Sequence, residues 1–144
     1  MVKKRLAKIQ ERLERKQLVK VLLKAPVYGV HFSKGWISLH FFGYKLSYKI
    51  LVKREKFVGE WSRKHPRIVI DKRFSAKELR KSFKALCVHE AVEKFLAQHL
   101  HFRTQKEPHK VATQKEKEYL ESIKGNWRSH ELFVFWDWQH MGRH

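Results

Sequence analysis

Two stretches of this sequence place imidazoles and carboxylates where an amphipathic helix should carry apolar side chains. At about 100° per residue counted from Leu79, the side chains of Phe83, Leu86, Glu90, Glu93 and Ala97 fall within about 40° of one line. His89 stands at the edge of that stripe, one turn before Glu93, a spacing that brings side chains to roughly 5 to 6 Å. Downstream, His109, Ala112, Glu116, Tyr119 or Leu120, and Ile123 share a second helical face. A buried, unpaired carboxylate is costly or stays protonated, so two helices that turn His and Glu inward need a compensating group. A divalent metal ion is such a group. The alternative is pairing of these carboxylates with basic residues of the sheet, in a chain that holds 33 Lys and Arg.

The string His89-Glu90-Ala91-Val92-Glu93 resembles the His-Glu-x-x-His helix of the zincin metallohydrolases, with Glu in place of the second His. The setting is similar too: an extended segment at residues 67–71 precedes the helix, and a further ligand follows on a later one. Small archaeal and phage proteins with a His-Glu-x-x-Glu helix followed by a His and Glu helix look similar over residues 68–119. The resemblance implies His89 and Glu93 as metal ligands and His109 or Glu116 as the third. It implies Glu90 as the general base acting on a metal-bound water, whose pKa the ion lowers toward about 7. A carboxylate in place of the second His adds charge and a harder donor, so Mn or Fe stand beside Zn, the first choice. Cys87, on the flank of the stripe, reads as a small core residue. His99, His101, His140 and His144 read as surface or interface residues, and no Gly-rich phosphate loop, paired-Cys motif or Ser nucleophile elbow is present.

The elements that must hold these residues follow from the same string. Ser75-Ala76-Lys77-Glu78 has the form of a capping box, predicting a helix from there to about Leu100. A second should start near Pro108 and run to Ile123, with Gly125 stopping it. Period-two patterning between residues 27 and 71, punctuated by Ser33-Lys34-Gly35 and by a bulge or turn at Phe42-Gly43, predicts an antiparallel sheet of four or five strands. Two of those strands are Phe57 to Trp61 and Arg67 to Asp71. Residues 131–138 are aromatic and β-prone, and are expected as a strand or extended segment. Residues 2–16 are expected as a basic amphipathic helix within an arm spanning 1–24, with Pro26 marking its latest end. The whole is expected as one α+β domain over 1–144: sheet 27–71, helix pair 75–124 and the basic N-terminal helix.

With 33 Lys and Arg against 14 Asp and Glu, the formal charge is +19, and self-repulsion of that size calls for a polyanionic partner. Nucleic acid, RNA or DNA, is the expected one. Lys3, Lys4, Arg5, Lys8, Arg12 and Arg15 of the basic helix and Lys45, Lys49 and Lys53 on one face of a strand are the candidate phosphate contacts. Aromatics beside cations, as in Tyr44-Lys45, Tyr48-Lys49, Trp61 to Lys64 and Trp127-Arg128, suit stacking, although alternation on a half-buried strand gives the same pattern. One Cys and no apolar run long enough to span a bilayer point to a cytoplasmic protein with no membrane partner. Two functions compete: a small metal-dependent hydrolase acting on or beside nucleic acid, and a non-catalytic nucleic-acid or ribonucleoprotein binder whose His/Glu cluster is structural.

Overall fold

Two tight turns organise the sheet. Lys34-Gly35 and Phe42-Gly43 have φ values of 50° and 80° and of 53° and 83°, the doubly positive pair whose twist suits a two-residue hairpin. They join β1 (Val27–Ser33), β2 (Trp36–Phe41) and β3 (Tyr44–Lys53) in antiparallel register. The computed structural model describes residues 15–53, 59–61, 66–100, 102 and 104–140, and Phe57 lies outside them. Two further strands, β4 (Gly59–Trp61) and β5 (Arg67–Asp71), complete a five-stranded sheet in the order β1-β2-β3-β5-β4.

The sheet departs from the expected antiparallel form at one pair, since β5 runs parallel to β3. After β3 the chain reaches the sheet edge as β4 and returns between the two, antiparallel to β4. Ile68, Val69 and Ile70 are all buried, and such an unbroken apolar run belongs to a central strand covered on both faces. Period-two patterning reports burial, and it is silent about strand direction.

α1 (Arg15–Lys24) precedes the sheet, and α2 (Arg80–His99), α3 (Lys106–Ser122) and α4 (Trp127–His140) follow it. The predicted capping box does not start α2. Asp71 accepts from the Arg73 amide at 3.1 Å and caps a 3₁₀ turn over Lys72–Ser75, where the Ser75 hydroxyl donates to the Lys72 carbonyl at 2.6 Å. A second 3₁₀ turn, Lys77–Leu79, leads into α2, so the helix begins five residues past the start of the box. From Ala85 to Val92 every residue of α2 is buried, which makes it a central helix between the sheet and α3. Ile37, Leu39, Phe41, Leu46, Ile68 and Ile70 of the sheet, Val88, Val92 and Phe95 of α2, and Val111 and Ala112 of α3 form one hydrophobic cluster. Cys87 lies fully buried within it, as expected of a core residue, and burial pushes its thiol up well above the ordinary range. Residues 131–138, expected as extended, lie within the helix α4.

Of the basic helix expected over residues 2–16, all but the last two positions lie outside the described residues. α1 buries Leu18 and Leu22 against the core and packs on α3. Its C-terminal turn leaves carbonyls without helical partners. The buried ammonium of Lys115 donates to the Leu23 carbonyl at 2.6 Å, a cation at the negative end of the helix dipole. Lys115→Met keeps the apolar stem and strands that carbonyl, so the urea midpoint should fall by the equivalent of about 1 to 3 kcal/mol with the slope unchanged. Among the described residues no helix is long and apolar enough to cross a membrane.

Candidate metal centre

Contacts between α2 and α3 run in reverse order, with position 89 meeting 116 and position 93 meeting 109, so the two helices pack antiparallel. Through this pairing the helical phase read from the sequence becomes a cluster. His89 and Glu116 are buried, and the Glu93 side chain is 13 % exposed. His109 departs from the expectation of a core position: its side chain is 63 % exposed. Val111 and Ala112 supply the buried face beside it, and His109 sits on the rim where its ring can still reach Glu93.

The two nitrogens of His89 have different partners. Nδ1 lies 2.7 Å from Glu116 Oε1. Nε2 faces the other carboxylates, 3.8 Å from Glu93 Oε2 and 3.9 Å from Glu90 Oε2. His109 Nδ1 lies 3.2 Å from the same Glu93 oxygen, and the two imidazoles meet edge to face with ring centres 4.9 Å apart. One ligand atom from each of His89, Glu93 and His109 lies within 4.8 Å of the other two. These donors suit a borderline to hard divalent cation, with two imidazoles and a carboxylate.

Glu116 takes a different place from the one the resemblance implies for it as an alternative to His109. It contacts the far nitrogen of His89, and its second oxygen is hydrogen-bonded to His130 Nε2. A carboxylate accepting from Nδ1–H fixes the tautomer and aims Nε2, the usual support of a metal-binding imidazole. Burial works against charge on both groups of this pair, but their contact wins. The hydrogen bond to Glu116 and the charges of Glu116, Glu90 and Glu93 lift His89 from its ordinary 6.5 to about 9. Hydrogen bonds from His130 and His89 hold Glu116 down at about 2 despite its burial. Among the described residues, the partners of Glu116 are histidines of α2 and α4, and they include none of the basic residues of the sheet expected by the ion-pair alternative.

Sequence patterning does not single out His130. It is buried at the start of α4, with its ring 5.3 Å from that of Trp127. A signal does exist in Asn126, whose side chain accepts from the Ser129 amide at 2.8 Å as a helix cap, with His130 and the partly buried Val134 one turn apart behind it.

Among the expected phosphate contacts, Lys3, Lys4, Arg5, Lys8 and Arg12 lie outside the described residues, and Arg15 opens α1. Lys45, Lys49 and Lys53 are exposed on β3. Their neighbours Tyr44 and Tyr48 turn inward instead: Tyr48 is buried beneath the Lys94 ammonium and Tyr44 packs on Phe95. His99, expected as a surface or interface residue, is half-buried against Phe95, while His101 and His144 lie outside the described residues. In comparisons with known proteins, the chain matches no family model, no curated protein and no solved structure.

Proposed function

We propose that this chain is a metal-dependent hydrolase of the zincin type that works on or beside nucleic acid. The observation that supports it best is the division of labour on His89, where Glu116 occupies Nδ1 and leaves Nε2 to face Glu93, Glu90 and His109. His89, Glu93 and His109 would hold the cation, with zinc first and Mn or Fe as alternatives suited to the carboxylate. Such an ion, when bound, supplies Lewis acidity toward a carbonyl or phosphoryl oxygen and toward water. Glu90, beside His89 and outside the three-donor set, accepts a proton from the attacking water and returns it to the leaving group. Glu116 and His130 act as positioning residues. The charge of +19 and the exposed Lys45, Lys49 and Lys53 support nucleic acid as the partner. A second reading, a non-catalytic nucleic-acid binder with a structural cluster, is favoured by one observation: both Glu116 oxygens are taken up by histidines of the chain itself, His89 and His130.

Calorimetric titration with zinc tests the metal assignment. An ion must displace the proton that His89 otherwise carries on Nε2 up to about pH 9. One equivalent should bind per chain, with apparent affinity rising about tenfold per pH unit between pH 6.5 and 9 as one proton leaves per ion. An affinity independent of pH across that interval would remove His89 Nε2 from the ligand set.

A further inference from the structure

The outer face of the sheet, opposite the helices, carries aromatic rings that the core does not use. Register places Tyr28 opposite His40 and His40 opposite Lys45 in one row, and Ser33, Trp36, Lys49 and Arg67 in another. On the opposite side of the same strands Ile37, Leu39, Phe41, Leu46 and Tyr48 are buried, so the outward rings stand on a fixed base. Tyr28 is 54 % exposed and Trp36 is 41 % exposed. Tyr28 lies flat on His40, with ring centres 5.0 Å apart and planes 12° from parallel. Trp36 stands four residues from His40 on β2, about 13 Å away at the usual strand rise.

A bulge arranges the first row. Three steps along β1, from Tyr28 to His31, oppose two along β2, from His40 to Ser38, so both Tyr28 and His31 face outward. Gly29 supplies the extra residue at φ +62°, and a Cβ there would come within 2.9 Å of the His40 ring. A side chain at position 29 would therefore disturb the pair.

Charge completes the surface. From Arg15 to Arg54 the sequence holds no Asp or Glu, and Lys45, Lys49 and Arg67 are exposed on this face. A duplex would offer only its backbone to a flat sheet, because its bases are already stacked on one another. An acidic protein would use the cations and leave the rings idle. Unstacked bases with phosphates between them use both.

We propose that the outer face of β1, β2 and β3 is a platform for single-stranded nucleic acid, with bases stacking on the Tyr28–His40 pair and on Trp36 and phosphates held by Lys45, Lys49 and Arg67. This rests on the nucleic-acid part of the reading above and is independent of the metal centre.

Fluorescence anisotropy of the full chain with a labelled twelve-nucleotide oligouridylate, with a duplex of equal length and with heparin as competitor tests it. The single strand should bind at least tenfold more tightly than the duplex. Tyr28→Ala and Trp36→Ala should each weaken it by about 5- to 100-fold, the range for removal of one base–ring stack, with the melting temperature unchanged because both side chains are exposed. Lys45→Glu with Lys49→Glu should lower the slope of log affinity against log salt by about 0.7 for each phosphate that is no longer neutralised. If duplex, heparin and single strand bind alike and the ring variants bind as wild type does, the platform is overturned and the polyanion reading survives. If none of the three polyanions binds, both fall.

Discussion

Glu90→Gln should lower hydrolytic turnover by about 10² to 10⁴-fold, while the protein keeps its fold and its metal. Gln has nearly the volume of Glu and still forms hydrogen bonds, but it cannot take a proton from water, and removal of a positioned general base produces an effect of this size. Glu90 lies 3.9 Å from His89 Nε2 and yet is outside the three-donor set, so it can be altered without removing a ligand. If Glu90 is instead only part of a buried polar cluster, its substitution should lower stability by about 3 to 5 kcal/mol and change no rate. The measurement is turnover of metal-loaded wild type and variant on peptide, amide and phosphodiester panels, with melting temperatures alongside. Equal inactivity of both proteins on all three panels would end the hydrolase reading and leave the binder.

Glu116→Gln should have the second largest effect, on metal affinity and on the metal-free fold together. Glu116 fixes the orientation of His89 from one side and contacts His130 from the other. Without its charge, His89 is deprived of its strongest support, and zinc affinity should fall by about 10- to 100-fold with the stoichiometry unchanged. Breaking a buried charged network from one side should also reduce stability of the metal-free protein by about 3 to 5 kcal/mol, about 10 to 17 °C in melting temperature for a chain of this size.

The pH profile of the metal-free protein separates this network from a merely packed one. His89 is raised from 6.5 to about 9, so its contribution is complete below about pH 6.5 and is lost as pH rises through 9. Glu116 is lowered from 4.5 to about 2, so its contribution is present above about pH 4.5 and is lost as pH falls toward 2. Both flanks should flatten in Glu116→Gln. A variant with wild-type zinc affinity and a wild-type pH profile would show that the Glu116 bridge positions nothing.

Helical phase is the strongest signal in the sequence, because 3.6-residue periodicity reports the buried face whatever the tertiary partner. It gives the buried faces of α2 and α3 and brings His89, Glu93 and Glu116 to the interior, although α2 begins at Arg80, five residues past the expected start. It overestimates the burial of His109, since a position in the first turn of a helix can share the inner phase and still lie at the rim. Gly35 and Gly43 likewise mark both hairpin turns, each at a positive φ. Strand direction at β5 is not legible, because a central strand reads as an apolar run in either orientation.

The run Leu132, Phe133, Val134, Phe135 and Trp136 has the composition of a strand, yet it is helical. Capping by Asn126 and the bond from His130 to Glu116 outweigh local β-propensity there, and only the second of these is tertiary. Reading α4 as extended hides His130, and with it the reason Glu116 can stay buried. The capping box fails for a related reason: Asp71 starts a 3₁₀ turn before Ser75 is reached, and the Ser75 hydroxyl is taken up within that turn.

His89, Glu93 and His109 together should hold one divalent cation, and every functional role proposed for α2 and α3 depends on it. The decisive measurement is elemental analysis of the purified chain after dialysis against trace zinc, beside His89→Ala and Lys45→Ala controls handled identically. Close to one zinc, manganese or iron per chain is expected in the wild type and in Lys45→Ala, and less than about a tenth of that in His89→Ala, with circular dichroism showing all three folded. Metal retained by a folded His89→Ala protein at the wild-type level, or none in the wild type, would contradict the metal centre.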